Sequence, residues 1–269
     1  MSAFPPLEKP SLFLASPGDV THLRRMANSI FQEIIDSNGR KVGVHFFAYE
    51  NANLGNNDSK PIQETISRPD DDNSRGLAAF FGERVGQDLP DDFPRDMLEN
   101  IPGLIEGSTY EGKQYRLIHP WVEGSETGGG FPLTGSTFEV LCAYAGQLRR
   151  DNLASANSLP SFICFASPPE VLAQSDATKA GWGGREELRR IQSEHADDMT
   201  EQLEQMVRLK RQVNCLRNFA CYLKTRGLEV HYIPKAEDIA EAYRNWLRAN
   251  FIAGSYDPSK INPFMGLRS

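Results

Sequence analysis

The sequence predicts an α/β domain: a parallel sheet of about five strands with helices on both faces, a long insertion and one long helix. Five short apolar runs stand out, at 11–15, 42–47, 76–81, 161–166 and 228–233. Stretches in which apolar residues recur every three or four positions separate several of them. Strands alternating with helices imply parallel pairing through right-handed crossovers.

Residues 1–10 read as a loose, Pro-containing lead-in, and Ser11 to Ala15 (SLFLA) as a buried first strand. Ser16-Pro-Gly-Asp19 is turn chemistry, with Asp19 placed to cap the next helix. Leu23, Met26, Ala27, Ile30 and Ile34 give that helix its apolar stripe, and Ser37-Asn-Gly39 stops it. Val42, Val44, Phe46 and Phe47 form a second strand that ends at Tyr49-Glu50. A polar loop follows, then a short helix from Pro61 to Ile66 and a charged connection from Arg68 to Arg75. Gly76 to Phe81 is the third strand.

Residues 83–133 break the rhythm with prolines, glycines and acids. They read as an insertion over one end of the sheet, with one strand-like stretch at Tyr115–His119 and a short helix at Arg95–Glu99. A connection this long in a compact domain is usually functional or mobile. Ser136 to Leu148 is then a helix and Ser161 to Ala166 a fourth strand. Arg185 to Arg226 reads as one long helix with Met199, Leu203, Met206, Leu209, Val213 and Leu216 on its stripe, ended by Gly227 at a C′ position. Leu228 to Ile233 is the fifth strand, and Ala236 to Phe251 a closing helix with Trp246 on its apolar face.

The 269 residues, 39% hydrophobic and 24% charged, have an ordinary globular composition. No apolar run approaches the roughly 20 residues needed to span a bilayer, and the start lacks a signal-peptide pattern, so a cytoplasmic location and no membrane partner are expected. A formal net charge of −7 argues against a dedicated nucleic-acid binder. The cysteines at 142, 164, 215 and 221 form no C-x-x-C pair and read as buried thiols; neither they nor the five scattered histidines suggest a metal site.

Three segments together resemble one family. Leu12-Phe-Leu-Ala-Ser-Pro-Gly-Asp-Val20 is similar to the first strand and loop of the TIR-like domains found at the N-termini of bacterial STAND ATPases. Thr134-Gly-Ser-Thr-Phe-Glu-Val140 resembles the segment in which a Gly-Thr/Ser pair precedes an acidic helix start. Phe80-Phe-Gly-Glu-Arg84 resembles the third strand and the step after it. Their order and spacing cover most of residues 11–251. Asn262-Pro-Phe-Met-Gly-Leu-Arg-Ser269 resembles the opening of the NTPase domain, which suggests an effector domain over 11–252 and, from 253 to 269, a linker with the start of an NTPase domain.

The resemblance implies a flavodoxin-like or TIR-like fold and cleavage of the nicotinamide glycosidic bond of NAD, with NAD as substrate and no cofactor. It also implies activation by homo-oligomerisation, driven by the chain's own C-terminal STAND NTPase and sensor domains in a defence response. The long insertion departs from the family pattern.

On this reading Glu139 is the catalytic carboxylate. It would contact the ribose hydroxyls and stabilise the oxocarbenium-like state as nicotinamide leaves. The plain alternative is that Glu139 completes a helix cap or complements the helix dipole, Ser136 or Thr137 being the cap itself. Ser16, Gly18 and Asp19 follow the first strand, and Phe81, Gly82 and Arg84 the third, at the carboxyl edge where open α/β sheets bind ligands. Arg84 could hold a diphosphate, or make a surface ion pair. Tyr49 could stack on a base, Ser136 joins the nucleotide-binding set, and Trp121 is the best aromatic for a lid.

Rival constellations fail. His119 and Cys142 have the order of a caspase-like dyad, but Cys142 falls mid-helix and Pro120 follows the histidine. Gly128-Gly-Gly130 lacks the rest of a P-loop. A nuclease would need an acidic metal cluster, whereas Asp70-Asp-Asp72 reads as a solvated loop. A non-catalytic interaction module of the same fold remains the second reading.

Overall fold

The computed structural model describes residues 10–38, 44–47, 73–86, 89, 104–110, 113–118, 131–152, 160–166 and 185–252. The expectations for Tyr49, the helix at 61–66, Asp70–Asp72, the helix at 95–99, His119, Trp121, the glycines at 128–130 and the tail from 253 lie outside them.

Five strands build the main sheet: β1 (Ser11–Ala15), β2 (His45–Phe47), β3 (Ser74–Phe81), β7 (Ser161–Phe165) and β8 (Val230–Tyr232). The spatial order is β2-β1-β3-β7-β8, and every pairing is parallel. The parallel pairing is what the alternation of strands and helices predicts, and the order is that of a flavodoxin-like sheet. β3 begins two residues earlier than its apolar run, because Ser74 pairs with Ser11 across a register shift.

Side-chain alternation divides the core in two. Phe13, Ala15, Leu77, Ala79, Phe81, Ile163 and Phe165 share one face with helices α2 (Gly135–Asn152) and α4 (Met199–Thr225). Leu12, Leu14, Ala78, Phe80, Phe162 and Cys164 share the other with α1 (Thr21–Asn38) and α5 (Ala236–Phe251). Each fully buried large apolar side chain contributes on the order of 1.5–3 kcal/mol. Trp246 stacks on Tyr243 and leans on Phe162, as its place on the apolar face of the closing helix predicts. Cys142, Cys164 and Cys215 are buried free thiols, and Cys221 is partly buried.

The stretch expected to be one helix from 185 to 226 is two. Helix α3 (Arg185–Glu194) ends in a turn, and α4 restarts at Met199. Neither glycine nor proline makes the break. Asp198 turns extended, and its Oδ1 accepts the main-chain N–H groups of Thr200 at 3.1 Å and Glu201 at 3.0 Å. That N-cap is what terminates the continuous pattern. At the far end Gly227, at φ +75°, closes α4 as predicted: its N–H bonds the Lys224 carbonyl and the Leu228 N–H bonds the Leu223 carbonyl, the paired bonds of a Schellman motif.

Residues 83–133 hold more regular structure than the single strand expected there. β4 (Leu104–Tyr110), β5 (Lys113–Ile118) and β6 (Phe131–Pro132) form a separate antiparallel sheet in the order β4-β5-β6. Its last strand is fused to the main core, since the Phe131 ring is fully buried against Phe219 and Tyr222. Among the described residues, no helix is long and apolar enough to cross a membrane.

Candidate functional site

The sheet order reverses between β1 and β3. The chain leaves β1 toward the β2 edge and leaves β3 toward β7, so the connections diverge and open the crevice where such sheets bind ligands. The residues leaving these two strands are Ser16–Asp19 and Gly82–Gly86, which brings two of the predicted segments together.

Asp19 is not the cap of α1. It lies in a 3-10 turn, Gly18–Val20, whose N-cap is Pro17, and its carboxylate faces across the crevice. Asp19 Oδ2 accepts the N–H of Glu83 at 2.9 Å and of Arg84 at 3.2 Å. Crowding by protein atoms raises the Asp19 pKa above 3.8, while the N–H bonds and the Arg84 charge pull it down; desolvation is the larger effect. Gly82 is required beside it: a Cβ there would sit 2.6 Å from Val20 Cγ1 and 2.7 Å from Asp19 Oδ2. A Cβ on Gly18, by contrast, would meet nothing within 4 Å, so this residue faces open space.

Ser16 is buried, and its hydroxyl accepts from Arg24 Nε at 2.7 Å. Arg24 Nη2 donates to the carbonyls of Ser16 at 2.7 Å and Pro17 at 3.3 Å. This buried guanidinium, 7% exposed, clamps the loop after β1 onto α1. Its sequence signal is a cation on the core stripe, between Leu23 and Ala27.

Phe81 does not reach the crevice. It is fully buried on the α2/α4 face, stacked on Phe165 and edge-on to Phe219, so its ring packs the core instead of offering a face to a base. Arg84 is half-buried at the crevice.

The loop after β3 then meets the start of α2. Thr134, not Ser136 or Thr137 as expected, is the N-cap. Its Oγ1 accepts the Thr137 N–H at 3.2 Å, and Thr137 Oγ1 accepts the Thr134 N–H at 2.8 Å. The pair is a reciprocal capping box with threonine at both ends. Thr134 Oγ1 also donates to the Val85 carbonyl at 2.6 Å, while the Val85 N–H donates to Gln212 Oε1 of α4 at 3.0 Å. Gly86, at φ +108°, packs between Pro17 and Thr134; an L side chain there would be strained. The sequence signal for Gly86 is weak, because its left-handed conformation depends on those two distant neighbours.

These contacts place the amino end of α2, and with it buried Ser136 and Glu139, beside the carboxyl ends of β1 and β3. Glu139 lies in the second turn of α2, beyond the cap. It is 5% exposed and engaged by neighbouring groups, so the capping role weighed for it belongs to Thr134 and Thr137. A small recess of about 10 Å³, no larger than one water, is lined by Leu77, Val140, Ala143, Tyr144, Ser161, Ile163 and Leu228 and lies lower on the α2 face, where Leu77 pairs with the first residue of β7. It is apolar and away from the crevice, and it presents no cluster of polar groups to a dinucleotide.

The chain matches no protein-family model, no curated protein and no solved structure.

Proposed function

We propose that the chain is an NAD-cleaving effector domain, TIR-like in type and attached to a STAND NTPase, which hydrolyses the nicotinamide glycosidic bond when copies of it assemble. The observation that carries this reading is the convergence at the switch point. The loops after β1 and β3 and the amino end of α2 are tied together there, with a buried carboxylate, Glu139, just inside that helix.

In this mechanism Gly18 lets the substrate approach the main chain, and Arg84 meets the diphosphate. Glu139 holds the ribose hydroxyls and stabilises positive charge as the C–N bond to nicotinamide breaks; water then adds to the ribosyl carbon. Burial favours Glu139 in that role, because a carboxylate removed from water acts more strongly on a developing cation. Ser16 and Asp19 hold the loops in place, and Ser136 lines the helix start. NAD or a related nucleotide is the substrate, no cofactor is needed, and the attached NTPase and sensor domains supply assembly.

A non-catalytic interaction module is the second reading. Internal contacts favour it: Arg24 engages the Ser16 hydroxyl, two main-chain N–H groups engage one oxygen of Asp19, and the core encloses Phe81.

The deciding experiment follows NAD consumption and products, using the domain held in oligomers and comparing wild type with Glu139→Gln. Nicotinamide release by wild type, lost in a variant that still folds and assembles, is the expected result. Equal rates in the two proteins would sink the assignment to Glu139. No turnover of any nucleotide by confirmed oligomers would favour the interaction module.

A further inference from the structure

Past the end of β3, three successive main-chain N–H groups donate to side-chain oxygens from elsewhere in the fold. Glu83 and Arg84 donate to Asp19 Oδ2 at 2.9 and 3.2 Å, and Val85 donates to Gln212 Oε1 of α4 at 3.0 Å. The backbone of Arg84 therefore lies between two anchors, Asp19 on the β1 side and Gln212 on α4, 127 residues beyond Val85. Val85 is fully buried. Its N–H has no ready exchange with water, so the loop must follow the Gln212 oxygen or leave a buried donor unpaired.

Gln212 is part-buried at the point where α4 changes surroundings. From Cys215 onward the helix is embedded in the sheet core through Leu216, Phe219 and Leu223. Before that, Leu209 and Val213 pack on Ile191 of α3. Gln212 is three residues past Leu209 and one before Val213, so the turn that seats α3 also presents the acceptor to Val85.

We propose that Gln212 is a positioning residue for the crevice, transmitting the seating of α3 on α4 to the loop that carries Arg84. A displacement of the α3–α4 pair draws Val85 with it, and Val85 moves Arg84 and the N–H groups that hold Asp19. Only the kinetic consequence rests on the functional reading above: Arg84 meets the diphosphate, so misplacing it raises KM for NAD more than it lowers kcat.

Nuclear magnetic resonance of the full 269-residue chain, without nucleotide, tests the tie. Gln212→Met keeps side-chain length and helix propensity but removes the acceptor. The Val85 amide proton should move upfield. Those of Glu83 and Arg84 should follow, although their own acceptor is intact, because their bonds to Asp19 lengthen. Titration of the Asp19 carboxyl should move down toward 3.8 as the loop that desolvates it loosens. Ile191→Ala, which touches none of these hydrogen bonds, should produce the same pattern at Glu83, Arg84 and Asp19, and Ile191→Val should leave it at wild type. Combining Ile191→Ala with Gln212→Met should add nothing at these three residues. In the same chain held in oligomers, Gln212→Met should raise KM for NAD about tenfold with kcat little changed. Resonances of Glu83 and Arg84 that stay in place in Gln212→Met would overturn the proposal. So would additive effects of the two substitutions, or turnover with an unchanged KM. A wild type that turns over no nucleotide while showing the expected resonance pattern would uphold the Gln212 tie and remove the NAD reading alone.

Discussion

Asp19 and Glu83, 64 residues apart in sequence, are joined at 2.9 Å: the carboxylate after β1 accepts the main-chain N–H after β3. The same oxygen accepts the N–H of Arg84, so one side chain fixes both lips of the switch-point crevice. Asp19→Ala removes both bonds and is expected to cost about 1–2 kcal/mol, read as a lower midpoint in urea. Asp19→Asn keeps an acceptor oxygen and should cost less.

The pH dependence at Asp19 runs opposite to that of a salt-bridged aspartate. Its folded-state pKa is raised above 3.8, chiefly by desolvation, so over the interval from 3.8 up to that raised value the folded chain binds more protons than the unfolded one. Its contribution to stability is therefore largest at the acid end and declines as pH rises through this window. Melting temperatures of wild type and Asp19→Asn, compared from pH 3.5 upward, should show wild type losing ground to the variant as Asp19 ionises. A difference that is flat with pH would refute the linkage.

Three glycines give a graded test of the crevice. Gly82→Ala forces a Cβ to within 2.7 Å of Asp19 Oδ2, and Gly86→Ala puts alanine at φ +108°; each should destabilise by about 1–3 kcal/mol. Gly18→Ala meets open space and should leave stability within about 0.5 kcal/mol. If the substrate approaches the main chain there, Gly18→Ala lowers turnover without lowering the melting temperature.

Thr134 serves the helix cap and the Val85 carbonyl together, so Thr134→Val should cost about 2 kcal/mol. Thr137→Val breaks the reciprocal half of the box. A double-mutant cycle between the two should give a coupling of about 0.5–1 kcal/mol, and strict additivity would contradict the shared hydrogen bonds.

Tyr243 is fully buried against Phe80 and Phe162, and its hydroxyl has no hydrogen-bond partner among the described residues. Burial pushes its pKa upward, so the phenol stays neutral. Tyr243→Phe retains the ring packing and removes an unsatisfied polar atom, and should raise stability by about 1 kcal/mol. A loss of stability instead would mean the hydroxyl has a partner.

The main sheet was legible because each strand is an apolar run and each described helix carries its own periodicity; Leu12 to Leu14 and Phe80 to Phe81 announce burial without tertiary information. Turn and cap roles were less legible. Asp19 is a good cap by type, but its actual partners are Glu83 and Arg84, and Thr134, which does cap α2, also holds Val85; these distant partners are fixed by a fold that local sequence does not encode. β4 escaped notice because LIEGSTY neither alternates nor runs apolar, and β6 is two residues long. The stripe on α4 shows the limit of periodicity: Met199 and Leu209 belong to one pattern, yet one is 66% exposed and the other 2%. Spacing reports which positions share a side of the helix, not whether anything covers them.

The α1 face of the sheet is completed by the last described helix. Ile239, Tyr243 and Leu247 of α5 cover Leu12, Leu14 and Phe80, and Arg244 reaches Glu33 of α1 at 3.2 Å. During synthesis from the amino terminus, β1, α1 and β3 therefore leave the ribosome with the apolar surface that α5 covers still bare of that helix until residue 251 has emerged. A nascent chain stalled before α5 should bind chaperones and be cut readily by protease, and release of the complete helix should end both.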